Sequence, residues 1–140
     1  MAALLFLSLT SLLISACVAA KPAPAGCSPL FEEAMVTEVY FGLSGPDGRS
    51  IPRKDWQAFV KSDVVAAFPD GFTVIPAQGY WRGEGMAKTA QENSLVLKII
   101  HPAGAGALKK LAGIAKSYAR RFEQQAVLLS TTATDAAICN

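Results

Sequence analysis

Two of the three cysteines, Cys27 and Cys139, constrain this chain most: if they pair, the two ends of the folded part must meet in space. Cys139 is the next-to-last of 140 residues, and Cys27 follows a Pro/Ala-rich stretch. The third cysteine, Cys17, closes an uncharged apolar run that starts at Met1. The odd count resolves once that run is read as a sorting signal. Cys17 is then lipidated or cut away, and an even pair remains. Closing a loop of about a hundred residues stabilises by up to about 4–5 kcal/mol in the chain-entropy picture. Such bonds persist in oxidising compartments outside the cytoplasm.

Residues 1–16, MAALLFLSLTSLLISA, suit a signal-peptide core. They are short for a spanning helix, which needs about 20 apolar residues. Ile14-Ser15-Ala16-Cys17 resembles the bacterial lipobox. The resemblance implies cleavage before Cys17 and acylation of its thiol and new amino group. At about 0.8 kcal/mol per buried CH₂, several acyl chains would hold the protein on a membrane, in the cell envelope facing the periplasm. The alternative is cleavage after Val18-Ala19-Ala20, giving a soluble periplasmic or secreted protein. Residues 17–33 read as a linker, stiffened by Lys21-Pro22-Ala23-Pro24-Ala25-Gly26. Residues 34–140 are the size of one domain.

Thirteen basic and eleven acidic residues nearly balance, and no basic block exceeds two residues. Lys109-Lys110 and Arg120-Arg121 read as the solvated face of a helix. The sequence therefore carries no electrostatic footprint for nucleic acid.

Alternation marks the first strand: Val39, Phe41 and Leu43 point one way, Glu38, Tyr40 and Gly42 the other. Ser44 to Gly48 is turn chemistry. Pro52 opens a helix, along which Trp56, Phe59, Val60, Val64 and Ala67 recur at helical spacing. It should stop at Phe68, because the residue before a proline is pushed out of the α region. Residues 72–81 form a second strand, placed at a sheet edge by Pro76, which has no N–H for a ladder. Residues 82–93 read as a long polar connection. Residues 94–100 form a third strand, with Leu95, Leu97 and Ile99 on one face and Val96, Lys98 and Ile100 on the other. Leu108, Leu111, Ala115, Tyr118 and Phe122 define an amphipathic helix, and a fourth strand begins at Val127. The order strand, helix, strand, strand, helix, strand is the ferredoxin-like α+β pattern: an antiparallel sheet, ordered 4-1-3-2, with both helices on one face. The other face carries Tyr40, Val96 and Ile100 beside a Glu38–Lys98 pair. It is read as partly exposed, a ligand groove, or the contact of a homodimer.

Several stretches form one recognisable pattern: Thr37-Glu38-Val39-Tyr40-Phe41-Gly42-Leu43, Trp56-Gln57-Ala58-Phe59, Phe68-Pro69-Asp70-Gly71-Phe72-Thr73, Gly79-Tyr80-Trp81-Arg82 and Glu92-Asn93-Ser94. Tyr118, Phe122, Gln124 and Val127 add its end. Together they resemble the bacterial domain-of-unknown-function family 3574, whose members are described as lipoprotein-like. The resemblance spans Thr37 to Cys139. It implies a single envelope domain and no particular reaction.

The residues point to no catalytic set, metal or cofactor. There is one histidine, His101, and the Cys and acidic residues are not clustered at ligand spacing. No G-x-S-x-G nucleophile turn is present, and Gly83-x-Gly85 lacks the rest of a phosphate loop. The candidate ligand-binding set is Tyr80, Trp81, Arg82 and Glu92, which bracket the long connection. In a hairpin, Arg82 and Glu92 would return close together. Read structurally, they form a salt bridge that pins the loop, with Trp81 capping the core. Read functionally, Arg82 meets an anionic group, Tyr80 and Trp81 offer ring faces, and Glu92 accepts a proton or hydrogen bond. Three functions follow from these readings. The first is an envelope module, anchored to the membrane, that binds a small molecule or an envelope protein. The second is a small cofactor-free enzyme, isomerase- or monooxygenase-like, with Glu92 or His101 as base. The third is a structural or assembly lipoprotein.

Overall fold

A computed structural model describes residues 22–140. The leader and Cys17 lie outside the described residues. The chain begins with β1 (Cys27–Pro29) and β2 (Ala34–Gly42). A helical segment follows, made of α1 (Arg53–Phe59), a π-helical turn (Val60–Val64) and α2 (Val65–Ala67). Next come β3 (Thr73–Trp81), β4 (Ala90–Pro102), α3 (Ala105–Arg121), β5 (Leu128–Thr134) and β6 (Ala137–Cys139). Four strands form one antiparallel sheet in the order β3-β4-β2-β5. Numbered first to fourth along the chain, they read second, third, first, fourth across the sheet. The architecture is α+β and ferredoxin-like. Pro76 sits on β3, an edge strand whose ladder runs to β4 alone, so its missing N–H breaks no bond.

Both helical segments cover the same face. Val39 and Phe41 of β2 and Leu97 and Ile99 of β4 pack with Trp56, Phe59 and Val64 beneath them, and with Leu111, Ile114 and Tyr118 of α3. Phe41 stands at the centre of an aromatic group, 4.6 Å from the Tyr118 ring and 5.2 Å from Trp56, centroid to centroid. Tilted pairs at these distances contribute about 0.5–1.5 kcal/mol beyond the area they bury. The helical segment ends where expected: Phe68, before Pro69, leaves the α region with ψ 69°.

Four local features differ from the sequence expectation. The β3–β4 connection is residues 82–89 rather than 82–93, because residues 90–93 extend β4 and pair with residues 78–81 of β3. Asn93, and to a lesser degree Ala90 and Glu92, favour strands poorly, and cross-strand pairing overrides that preference. On α3, Leu108 is exposed and Ile114 takes its place in the core. The chain between Val60 and Val64 winds as a π-helix. Finally, β1 and β6 form a separate two-stranded sheet, with Cys27 opposite Cys139 and a disulfide between them. Three-residue strands are too short to leave a period in the sequence.

Candidate functional site

The face of the main sheet away from the helices carries a cleft of about 380 Å³ at one end. Strand alternation and register decide what reaches it. Gly42 of β2 lies opposite Ser94 of β4; Ser94 lies opposite Ala77 of β3, and Glu92 opposite Gly79. These small residues form the floor. A Cβ added at Gly79 would come within 2.8 Å of Ser94 Oγ, so the strands approach closely there. Tyr40, Trp81 and Leu128 supply apolar walls, and Gln124, Gln125 and Ala126 close the side next to β5.

Glu92 rests over Gly42: a Cβ built on Gly42 would lie 2.5 Å from Glu92 Oε1. Its carboxylate has no hydrogen-bond or ion-pair partner among the described residues. The neighbouring acid behaves differently. Glu38 accepts a hydrogen bond from the Tyr40 hydroxyl at 2.8 Å and pairs with Lys98 at 3.4 Å. The Tyr40 bond, and then Lys98, hold its carboxyl below the usual carboxylate range. The same bond pushes the Tyr40 hydroxyl up. Behind the floor, on the helix side, Tyr118 donates to the Gly42 carbonyl at 2.7 Å. Burial raises the Tyr118 hydroxyl pKa, and the charge of Glu92 adds to it.

Of the residues singled out from sequence, Tyr80, Trp81 and Glu92 all line the cleft. Tyr80 sits at the rim, 65% exposed, with its hydroxyl donating to Gln78 Oε1 at 3.1 Å. Trp81 does not cap the core. It lies on the open face, and a Cβ at Gly83 would clash with both its ring and the Gln125 amide. Arg82 is exposed, makes no ion pair with Glu92, and is not part of the lining. The reason is register: Glu92 faces Gly79, three residues before Arg82, once β4 begins at Ala90. Gln124, just past the end of α3, donates to the carbonyls of Ser44 and Phe122.

His101 lies on the helix side at the far end of β4, opposite Met35, and is buried. Its Nδ1 is 2.8 Å from the Pro102 carbonyl, which only accepts, so Nδ1 carries a proton. Its Nε2 is hydrogen-bonded to Thr37 Oγ1 at 2.9 Å, and Thr37 Oγ1 to Thr131 Oγ1 at 2.9 Å. The ring is tied into this chain and cannot serve the cleft. Sequence reasoning missed Gly42, Ser94 and Leu128, which meet only through strand pairing. A glycine ending an alternating strand was the one local signal of close approach. Among the described residues, no three His, Cys, Asp or Glu side chains gather as a metal set, and no helix is long and apolar enough to cross a membrane.

Residues 36–137 match the model of a family described as a protein of unknown function, DUF3574. No curated protein matches the chain in sequence. In fold it is similar to a phage SAM lyase in complex with S-methyl-5'-thioadenosine: TM-score 0.58, 17% identity, covering 76% of this chain and 90% of that one. A phage SAM lyase in the apo state gives 0.55 at 17% identity, over 77% and 90%. CutA from Synechococcus elongatus PCC7942 gives 0.50 at 10% identity, over 81% and 86%. At these identities the likeness is one of fold.

Proposed function

The chain belongs to the DUF3574 family, and from that premise we propose that it is an exported, membrane-anchored domain whose open-face cleft holds a small organic ligand. The observation that carries the reading is Glu92, an acid with no partner among the described residues, set on the floor of a cleft walled by Tyr40, Trp81 and Leu128. Concave, mostly apolar sites with a few converging polar groups are where small molecules bind. Export is supported by the apolar leader ending in Cys17 and by the Cys27–Cys139 bond, which suits an oxidising compartment.

Two experiments test the two halves. Labelling cells with a palmitate analogue, followed by membrane fractionation, should give a labelled band in wild type and none in Cys17→Ser. An unprocessed chain in the cytosol would sink the export half. For the cleft, a thermal-shift panel of metabolites should contain at least one member that raises the melting temperature of wild type but not of Trp81→Ala. The panel includes S-methyl-5'-thioadenosine, the ligand held by the similar phage enzyme. A flat response across the panel would leave a structural or assembly role. A ligand converted to product by wild type and not by Glu92→Gln would make the protein an enzyme with Glu92 as base.

A further inference from the structure

The balance of charge and of hydrogen-bond donors in the cleft says what kind of ligand fits. Among the described residues no cation pairs with the Glu92 carboxylate, and no Lys or Arg lines the cleft. The nearby cation, Lys98, is engaged with Glu38. Arg82 stands outside the lining. An anionic ligand would therefore meet like charge at short range. A neutral apolar ligand would strip water from the carboxylate without replacing its hydrogen bonds, which is costly.

Donors and acceptors lead the same way. The Tyr40 hydroxyl donates to Glu38, the Tyr80 hydroxyl to Gln78, and both Gln124 amide protons go to backbone carbonyls. These donors are occupied within the protein; those left open, on Gln78, Trp81, Ser94 and Gln125, are neutral, while both oxygens of Glu92 remain open as charged acceptors. The complement is a ligand that donates. The Tyr40 and Trp81 rings line the same space, and ring faces attract a cation within about 6 Å. Leu128, 63% exposed at the wall, offers contact for an apolar body.

We propose that the ligand of this cleft is a monocationic amine carrying an apolar or aromatic body, its ammonium seated on Glu92. This rests on the reading of the cleft as a ligand site, and it names the class. The ammonium supplies the positive charge that the cleft lacks and donors for the open Glu92 oxygens, and charge-assisted N–H···O⁻ bonds are the strong ones.

The test uses three molecules of nearly equal shape: tryptamine, indole-3-propionamide and indole-3-propionate. Their binding is titrated calorimetrically against wild type and Glu92→Gln at neutral pH. Wild type should bind the amine at least tenfold more tightly than the amide and should not bind the acid. Glu92→Gln should lose at least tenfold for the amine and change little for the amide. Amine affinity should fall as salt is raised. Gly42→Ala, whose Cβ crowds the carboxylate, gives the same reading by an independent route should Glu92→Gln melt early. Equal or tighter binding of the amide or acid, or amine binding unchanged in both variants, overturns the ligand class. If tryptamine fails while a member of the metabolite panel binds at Trp81, the class falls and the site stands. If nothing in either set binds, both fall.

Discussion

Gly42 and Glu92 compete for one position: the glycine leaves open the space that the glutamate carboxylate fills, with 2.5 Å between Oε1 and the Cβ that any other residue would bring. The contact is with the far end of a flexible side chain, so Gly42→Ala should move Glu92 rather than unfold the sheet. Alanine in a strand also recovers about 0.5–1 kcal/mol of backbone entropy relative to glycine. The expected outcome is a melting temperature within a few degrees of wild type, with the amine affinity lost. Calorimetric scanning and titration of one preparation check both.

Tyr118 holds the same strand end from the opposite face. Tyr118→Phe removes the hydrogen bond to the Gly42 carbonyl and should cost about 1 kcal/mol. Its pH signature has a definite sign. Burial, reinforced by Glu92, raises the folded-state pKa above that of the unfolded chain. The contribution of the neutral hydroxyl is thus complete below about pH 10 and is lost as the pH rises beyond it. Urea titrations from pH 8 to 11 should show a shallower alkaline decline in Tyr118→Phe than in wild type.

Asp63 gives the opposite limb. Burial would raise its carboxyl pKa, but hydrogen bonds from Ser117, at 2.6 Å, and Ser62, with the Arg121 charge, hold it below the usual range. A lowered folded pKa means stability that is present above about pH 4 and is lost as the pH falls through the folded value. Asp63→Asn should melt earlier at neutral pH and lose less on acidification. Melting curves between pH 2.5 and 7 decide the point.

The buried chain Thr131–Thr37–His101 predicts a stability effect with no effect on the cleft. Thr37→Val keeps the shape but leaves His101 Nε2 without a partner in a dry site. A buried unsatisfied group costs about 1–3 kcal/mol. Chemical denaturation should report that loss, and amine binding should be unchanged.

Opening the clamp should likewise act at a distance. The Cys27–Cys139 bond closes a separation of 112 residues, for which the chain-entropy model gives about 4–5 kcal/mol and measured losses are typically about 2–5. Cys139→Ser should therefore melt at a markedly lower temperature. Below its transition it should still bind tryptamine, because the clamp and the cleft lie at opposite ends of β2.

The sheet was legible because its residues announce themselves locally. The alternation around Val39 and Phe41 requires a half-buried strand, Pro76 requires an edge, and the steps from Leu111 to Tyr118 require an amphipathic helix. The cleft was half legible. Tyr80, Trp81 and Glu92 were visible as aromatic and acidic residues near a turn. Arg82 was grouped with them because polar Gln91 and Asn93 hide the start of β4. Moving that start from residue 94 to residue 90 changes which residue Glu92 faces. No reading of one strand at a time places Gly42 beneath Glu92, since the two are neighbours only through the register between β2 and β4. The same holds for β1 and β6, whose pairing is a relation between the two ends of the chain.

That pairing has a mechanical consequence. Strand β2 runs from Ala34, beside the clamp, to Gly42 at the cleft, a span of roughly 25–30 Å at strand rise. The chain enters the domain at the clamped pole, next to Cys27, so tension arriving through the preceding residues is carried by a covalent bond and relayed to the C-terminal end. The sheet between the poles is bypassed. A pull on the chain ahead of Cys27 would therefore leave the far mouth of the sheet undeformed.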